Sequence, residues 1–463
     1  MTQSIQQRNN SYLIFIALTA AFGGFLFGYD TAVISGTISL VKQQFSLSTL
    51  MEGWFVSSAL VGCILGVMLA GEMSDRFGRK ASLIVSGLLF CASAFGCALC
   101  GSHTELILFR LVGGLGIGIA SMLSPMYISE VSPAHIRGRM VALYQLAICL
   151  GIVAAYFVNA WLMNISSGVS ASAGLWHKLF VSEVWRAMFG ASAIPALFFF
   201  VAMFFVPESP RWFAAKGNDE KASHILFKIN GKDVAKKELN SIKEALQKEE
   251  NGSWKVLFHP GIRIAMFAGI VLSLLSQFTG INAIIYYGPR IMEEAGLKLS
   301  DALGGQVVIG LVNALATVFA IWKIDQYGRK KLLNLGITGM FFALLAVGFL
   351  FLIHKTEGIW RLALIIIYIA FFAISYGPVI WVLLSEIYPT KVRGRAMSVA
   401  TLMLWVGTAI IGQVVPWMLE TLTPAVTFFI FALCCIPVPL TLRLIPETKG
   451  KSLENIEKAW QID

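Results

Sequence analysis

Residues 75–80 read Asp-Arg-Phe-Gly-Arg-Lys, and residues 325–330 read Asp-Gln-Tyr-Gly-Arg-Lys. Each hexapeptide sits between two long stretches without formal charge: 53–71 and 81–104 around the first, 302–322 and 332–354 around the second. A second motif repeats in the same order, Glu130 with Arg137-Gly138-Arg139 and then Glu386 with Arg393-Gly394-Arg395. A third closes each copy, as Pro207-Glu208-Ser209-Pro210 and Pro446-Glu447-Thr448-Lys449. Three charged motifs in one order, at matching loops, mark an internal duplication.

Working outward from these motifs, twelve stretches of at least 18 residues lack Asp, Glu, Lys and Arg, the first at 9–29 and the last at 421–442. A helix needs about 20 apolar residues to cross a bilayer. The expected fold is therefore an all-α polytopic membrane protein, with twelve transmembrane helices in two six-helix bundles. Composition agrees: 57% of residues are hydrophobic and 13% charged, with a mean hydropathy of +0.74. That leaves too little charge to coat several water-facing domains, and it excludes disorder. The first run lacks a convincing cleavage site, so a removable signal peptide is not expected. Expected boundaries are 1–206 for the first bundle, 207–258 for a cytoplasmic helical linker, 259–445 for the second bundle and 446–463 for a cytoplasmic tail. The linker region stands out because residues 208–263 hold 19 charges of both signs at helical spacing.

The net charge of +10 raises the question of nucleic acid. Of 36 Lys and Arg, 28 fall in loops on the side of the termini and 7 on the other, leaving Arg110 inside a span. This is the positive-inside pattern: it places both termini in the cytoplasm and makes the basic charge a matter of topology, with no nucleic-acid partner. Enzyme motifs are missing. There is no HExxH and no GxSxG, and Ile445 stands where a phosphate loop ending in Gly450-Lys451-Ser452 needs its first glycine. No catalytic residue, cofactor or metal is expected. The seven cysteines fall in or beside apolar runs and read as small buried hydrophobes. Gly114, Gly116 and Gly118 read as a close helix crossing.

Three groups of residues carry candidate chemistry. Asp30 follows 21 uncharged residues and precedes 11 more, so it lies inside a span, with Arg110 as the intramembrane base of the same half. An ionised Asp there costs roughly 2.5–3.5 kcal/mol on insertion scales, so it must be paired, protonated or hydrated. The pair is either a static tie between helices or a proton switch. Gln145, Gln277, Asn282, Tyr286, Tyr287, Asn313, Trp381 and Trp405 put amides and aromatic rings at hydrocarbon depth. They suit helix–helix glue, or a sugar with its hydroxyl edge and apolar ring face. Glu130, Glu386, Arg79 and Arg329 read as interfacial anchors, or as acid–base pairs that latch the cytoplasmic ends when that side closes.

Phe27-Gly-Tyr-Asp-Thr-Ala-Val-Ile-Ser-Gly36 and Trp381-Val-Leu-Leu-Ser-Glu386 are similar to stretches of the bacterial D-xylose:proton symporters, and the chain resembles their family, the sugar porters of the major facilitator superfamily, over essentially its whole length. The pieces that carry this are Gly71-Glu-Met-Ser-Asp-Arg-Phe-Gly-Arg-Lys80, Pro125-Met-Tyr-Ile-Ser-Glu-Val-Ser-Pro-Ala-His-Ile-Arg-Gly138, Pro207-Glu-Ser-Pro-Arg211, Gln277-Phe-Thr-Gly-Ile-Asn282 and Pro446-Glu-Thr-Lys-Gly450. The resemblance implies proton-coupled uptake of a monosaccharide, of the D-xylose or D-glucose class, by alternating access. It assigns sugar contacts to Phe27, Gln145, Ser276, Gln277, Asn282, Tyr286, Asn313, Gly377, Trp381 and Trp405, and proton coupling to Asp30 with Arg110. A cytoplasmic gate would comprise Asp75, Arg79, Glu130, Arg137 and Glu208 with their counterparts Asp325, Arg329, Glu386, Arg393 and Glu447. Partners are then the monosaccharide, protons and the lipid bilayer, in a cell-membrane protein working as a monomer. Ser276, Ile152 and Leu404 replace glutamines of the xylose pattern, and Ser192 replaces an acid, which makes the pocket less polar. Two alternatives share the scaffold: a proton-independent sugar facilitator, and a sugar sensor, which would carry an added signalling domain that the tail is too short to supply.

Overall fold

A backbone inside hydrocarbon must satisfy its own N–H and C=O groups, so each apolar run folds as a helix. The computed structural model describes residues 10–133, 136–168, 177–230, 232–249, 259–353, 358–388 and 393–449. The first half contains α1 (Asn10–Phe45), α2 (Thr49–Phe77), α3 (Arg79–Leu99), α4 (His103–Val131) and α5 (Arg137–Gly168), and its sixth span is α6 (Val184–Ala191) continued by α7 (Ala193–Ala202). Short helices α8 (Pro210–Ala215), α9 (Asp219–Asn230) and α10 (Lys232–Glu249) follow. The second half contains α11 (Pro260–Phe278) with α12 (Ile281–Glu294), α13 (Leu299–Tyr327), α14 (Arg329–Ile353), α15 (Gly358–Ile374) with α16 (Tyr376–Ile387), α17 (Arg393–Trp417), and α18 (Thr423–Cys435) with α19 (Pro437–Arg443). We call the face that carries α8–α10 the linker face and the opposite one the far face.

Eleven segments among the described residues are long and apolar enough to span, the last being Gly394–Arg443 with 50 residues. At 1.5 Å per residue a straight helix of that length would measure about 75 Å, more than twice the hydrocarbon core. It folds back instead. Thr423 has φ of 72°, and the chain passes Gln277 at Gly407 and Tyr287 at Gly412, then returns past Gly280 at Phe431. Among the described residues the crossings therefore number twelve, six per half. Large side chains such as Leu69, Phe95, Phe157, Leu315 and Phe342 point outward, an apolar belt suited to lipid.

Packing inside the first half depends on small residues. A Cβ on Gly114 would lie 1.9 Å from the Ala59 carbonyl, and one on Gly118 would lie 2.3 Å from the Cys63 carbonyl. α2 and α4 thus cross backbone to backbone, which presses Arg110 of α4 against the Phe55 carbonyl of α2.

The duplicated loop motifs fold alike. Gly78 and Gly328 take φ of 97° and 88°, a left-handed turn that bulky residues resist, and each starts the next helix at the following arginine. The carboxylate of the third motif then caps that helix. Glu208 accepts from the backbone N–H groups of Arg79 and Lys80 at 2.9 and 3.1 Å, and Glu447 accepts from those of Arg329 and Lys330 at 3.2 and 3.1 Å. A carboxylate there satisfies donors that a helix start leaves open. Burial pushes the Glu208 carboxyl above the usual range, against the pull of the backbone N–H groups of Ser209, Lys80 and Arg79 and of the Arg79 charge. We expect Glu208→Ala and Glu447→Ala each to cost about 1 kcal/mol of stability, as lost caps do. Thermal unfolding in detergent checks this. Unchanged midpoints in both variants would remove the capping role.

Candidate functional site

The break between α11 and α12 builds one wall of the site. Gly280 sits at φ of 90°, and a Cβ there would lie 2.5 Å from the Phe431 ring. The carbonyl of Thr279, freed by the break, accepts from the Tyr368 hydroxyl at 2.9 Å. Interrupted helices put unpaired backbone and side-chain polar groups at mid-membrane, where transporters bind their cargo. Here the break sets Gln277 just before the turn and Asn282 just after it. Asn282 Nδ2 donates to Gln277 Oε1 at 2.5 Å, and Gln277 Nε2 donates to Ser276 Oγ at 2.8 Å. Ser276 in turn donates to the Ser273 carbonyl. The three residues form one relay.

A second cluster joins the halves. Gln145 of α5 and Asn313 of α13 both donate toward the Cys149 sulfur, at 3.9 and 4.0 Å, and the Cys149 thiol donates to Thr317 Oγ1 at 3.6 Å. Phe27 of α1 meets Trp405 of α17 at a ring-centroid distance of 5.2 Å. Trp405 also stands beside Tyr286, Asp30 and Arg110 around a cavity of about 10 Å³. Trp381 and Gly377 lie on α16, both half-buried. Among the described residues neither shares a hydrogen bond or ring contact with these clusters. Ile152 and Leu404 are buried and apolar.

Asp30 and Arg110 are together, but loosely. Arg110 Nη1 stands 3.9 Å from Asp30 Oδ2. The guanidinium is otherwise held by the Phe55 carbonyl at 3.3 Å and by the rings of Phe55 and Phe189, at 5.6 and 5.5 Å from their centroids. Ser192 donates to the Phe189 carbonyl at 2.6 Å, so its hydroxyl is already engaged.

The motif charges on the linker face also pair. Arg79 bonds Glu130 at 3.1 Å and reaches Asp75 at 3.4 Å, while Arg329 bonds Glu386 at 2.8 Å. Glu130 also accepts from Ser209. The latch expected from sequence belongs to a state in which this face is closed; here the face is open, with these pairs formed. Each closes inside its own half, because the arginine opening a helix points at the acid of the neighbouring span. They are formed in a structure whose closed mouth is the far face, where Ser57 of the first half donates to Gln413 of the second at 2.8 Å. Arg137 is exposed and donates to the Ser132 carbonyl at 3.4 Å. The side chains of Asp325 and Arg393 lie outside the described residues. A cavity of about 490 Å³ opens beside Arg79 and Glu130, lined further by Asp75, Arg211, Trp212 and Lys216, and takes in none of the expected sugar contacts.

Sequence reasoning missed Cys149, which it took for a packing residue. Its spacing of four from Gln145 on one helix was the available signal. It also missed the far-face acids Glu52, Glu293 and Glu420, which belong to no repeated motif.

Residues 16–460 match the profile described as "Sugar (and other) transporter". The chain belongs to that family. It is a multi-pass membrane transporter of the major facilitator fold, and not an enzyme. It is 43% identical over 450 residues to the arabinose-proton symporter of Bacillus subtilis strain 168, covering 97% of this chain and 95% of that one. It is 37% identical over 489 residues to the D-xylose-proton symporter of Escherichia coli strain K12, covering 98% and 97%. A solved structure of the xylose transporter XylE from E. coli, in a partially occluded inward open conformation, superposes with a TM-score of 0.82 at 36% identity, covering 96% of this chain and all of that one.

Proposed function

We propose that this protein carries a monosaccharide of the D-xylose or D-glucose class into the cell together with a proton, by alternating access. The supporting observation is that the Asp30–Arg110 pair and the aromatic groups Tyr286 and Trp405 border one small cavity. The proton site and the sugar site thus share a wall. Arg110 keeps a carbonyl and two aromatic faces if Asp30 becomes neutral, so protonation can release the carboxyl without stranding the cation. Relatives named for arabinose and for D-xylose support sugar–proton symport and leave the particular sugar to experiment.

In this reading Gln145, Gln277, Asn282 and Asn313 bind hydroxyls, with Ser276 holding Gln277 in place, and Phe27, Tyr286, Trp381 and Trp405 cover the sugar's apolar face near Gly377. Asp75, Arg79, Glu130, Arg137 and Glu208, with Asp325, Arg329, Glu386, Arg393 and Glu447, keep each half rigid at the linker face as the halves rock. In this reading that face, and both termini, lie in the cytoplasm of a cell whose inner membrane holds the protein, and the basic loops there support it. The closed far face then makes this an inward-facing state.

Counterflow of labelled sugars in liposomes holding only this protein tests the assignment. D-xylose, D-glucose or arabinose should exchange, and exchange of a charged solute but of no sugar would sink it. Gln145→Ala and Gln277→Ala should each weaken binding, read as tryptophan quenching, by about 1–3 kcal/mol, the cost of leaving a buried hydroxyl unpaired. Unchanged affinity in both would make these amides helix glue.

A further inference from the structure

The far face is shut by charge. Glu52 opens α2 in the first half and is wholly buried. Its carboxylate pairs with Arg290 on α12 of the second half, and with Lys42 at the end of α1 at 2.7 Å. Arg290 also reaches Glu294, one turn on, at 3.3 Å. Around this pair lies a ring of polar contacts between the halves. Ser39 donates to Glu293 at 3.0 Å, Thr49 bonds Glu420, and Gln413 donates to the Leu50 carbonyl at 3.2 Å. At the linker face the contrast is plain: the ion pairs of Arg79 and Arg329 close within one half.

We propose that Glu52 and Arg290 form a charge clasp between the halves, and that breaking it is a step of transport whenever the far mouth opens. This rests on the alternating-access reading above. The two halves cannot part at this face while a desolvated carboxylate and its guanidinium stay in contact. Opening must rehydrate both, so the pair sets how often the far mouth opens. Lys42 has a different part. It belongs to the same half as Glu52, travels with it, and keeps the carboxylate paired when Arg290 leaves. The clasp therefore opens without abandoning a lone buried charge.

The reporter is Val56→Cys, a buried position on α2 that faces Gly412 across the halves. Its labelling by a membrane-impermeant thiol reagent, applied from the far side, reads opening of that mouth, with the unsubstituted protein as background. In this background Glu52→Gln and Arg290→Gln should each speed labelling by about ten-fold, within the range of ordinary conformational couplings. The two together should do no more than either alone, since the same crossing pair is lost in every case. Lys42→Gln should change the rate by less than about two-fold, because that pair does not cross between halves. Thermal midpoints measured alongside expose a variant that has merely unfolded. Labelling unchanged in both Glu52→Gln and Arg290→Gln, while sugar still alters the rate, would overturn the clasp and leave alternating access standing. Equal effects of Lys42→Gln and Arg290→Gln would also overturn it, since net charge would then matter and not the crossing pair. Labelling indifferent to sugar in every variant would overturn the alternating-access reading, and the clasp with it.

Discussion

Asp30→Asn should abolish sugar accumulation against a gradient while sugar binding, and exchange across the membrane, survive. The asparagine has the shape of the protonated acid and cannot lose a proton. It would hold the site in one protonation state, with Arg110 still kept by the Phe55 carbonyl and two phenyl rings. A static tie between helices behaves otherwise: its loss would lower stability and binding together. Uphill accumulation, counterflow and tryptophan quenching measured on one preparation separate the two. An Asn variant that still accumulates sugar would remove Asp30 from the coupling.

Gly114→Leu should remove folded protein from the membrane almost entirely. Its Cβ would fall 1.9 Å from the Ala59 carbonyl, a backbone atom that cannot swing aside, and the rest of the side chain has nowhere to go. Over-packing a well-fitted crossing costs about 1–3 kcal/mol and occasionally more. At this position α2 and α4 must separate along their length, carrying Arg110 away from Phe55. Gly138→Leu, with open space around its Cα, should be neutral by comparison. Yield of monodisperse protein after detergent extraction, read by size exclusion, reports both. Equal yields would show that the crossing tolerates bulk.

The architecture was legible because lipid imposes it. A charge-free run of spanning length has few alternatives, and repeated charged loops can recur only if the halves recur. Asp30 and Arg110 stood out for the same reason, as charges where charge is costly. The geometry of the linker-face motifs was not legible. The sequence places Arg79 and Glu130 near one face, but whether they join helices or halves depends on packing, and the structure puts them inside one half. The relay at Ser276, Gln277 and Asn282 needed the break at Gly280, and a Thr-Gly pair within an apolar run does not announce a left-handed turn. Cys149 was hidden by its chemistry, since a thiol packs like a methyl group until amides from two helices converge on it. The far-face clasp left no repeat to find, because Glu52 has no counterpart in the second half's motifs.

Proton movement accompanying sugar entry is the most direct test of the whole account. Purified protein in weakly buffered liposomes, with a pH electrode outside, should alkalinise the medium when a transported sugar is added, and only then. The signal should vanish with a protonophore and in Asp30→Asn. Labelled sugar entering with no alkalinisation would contradict the account and make the protein a facilitator.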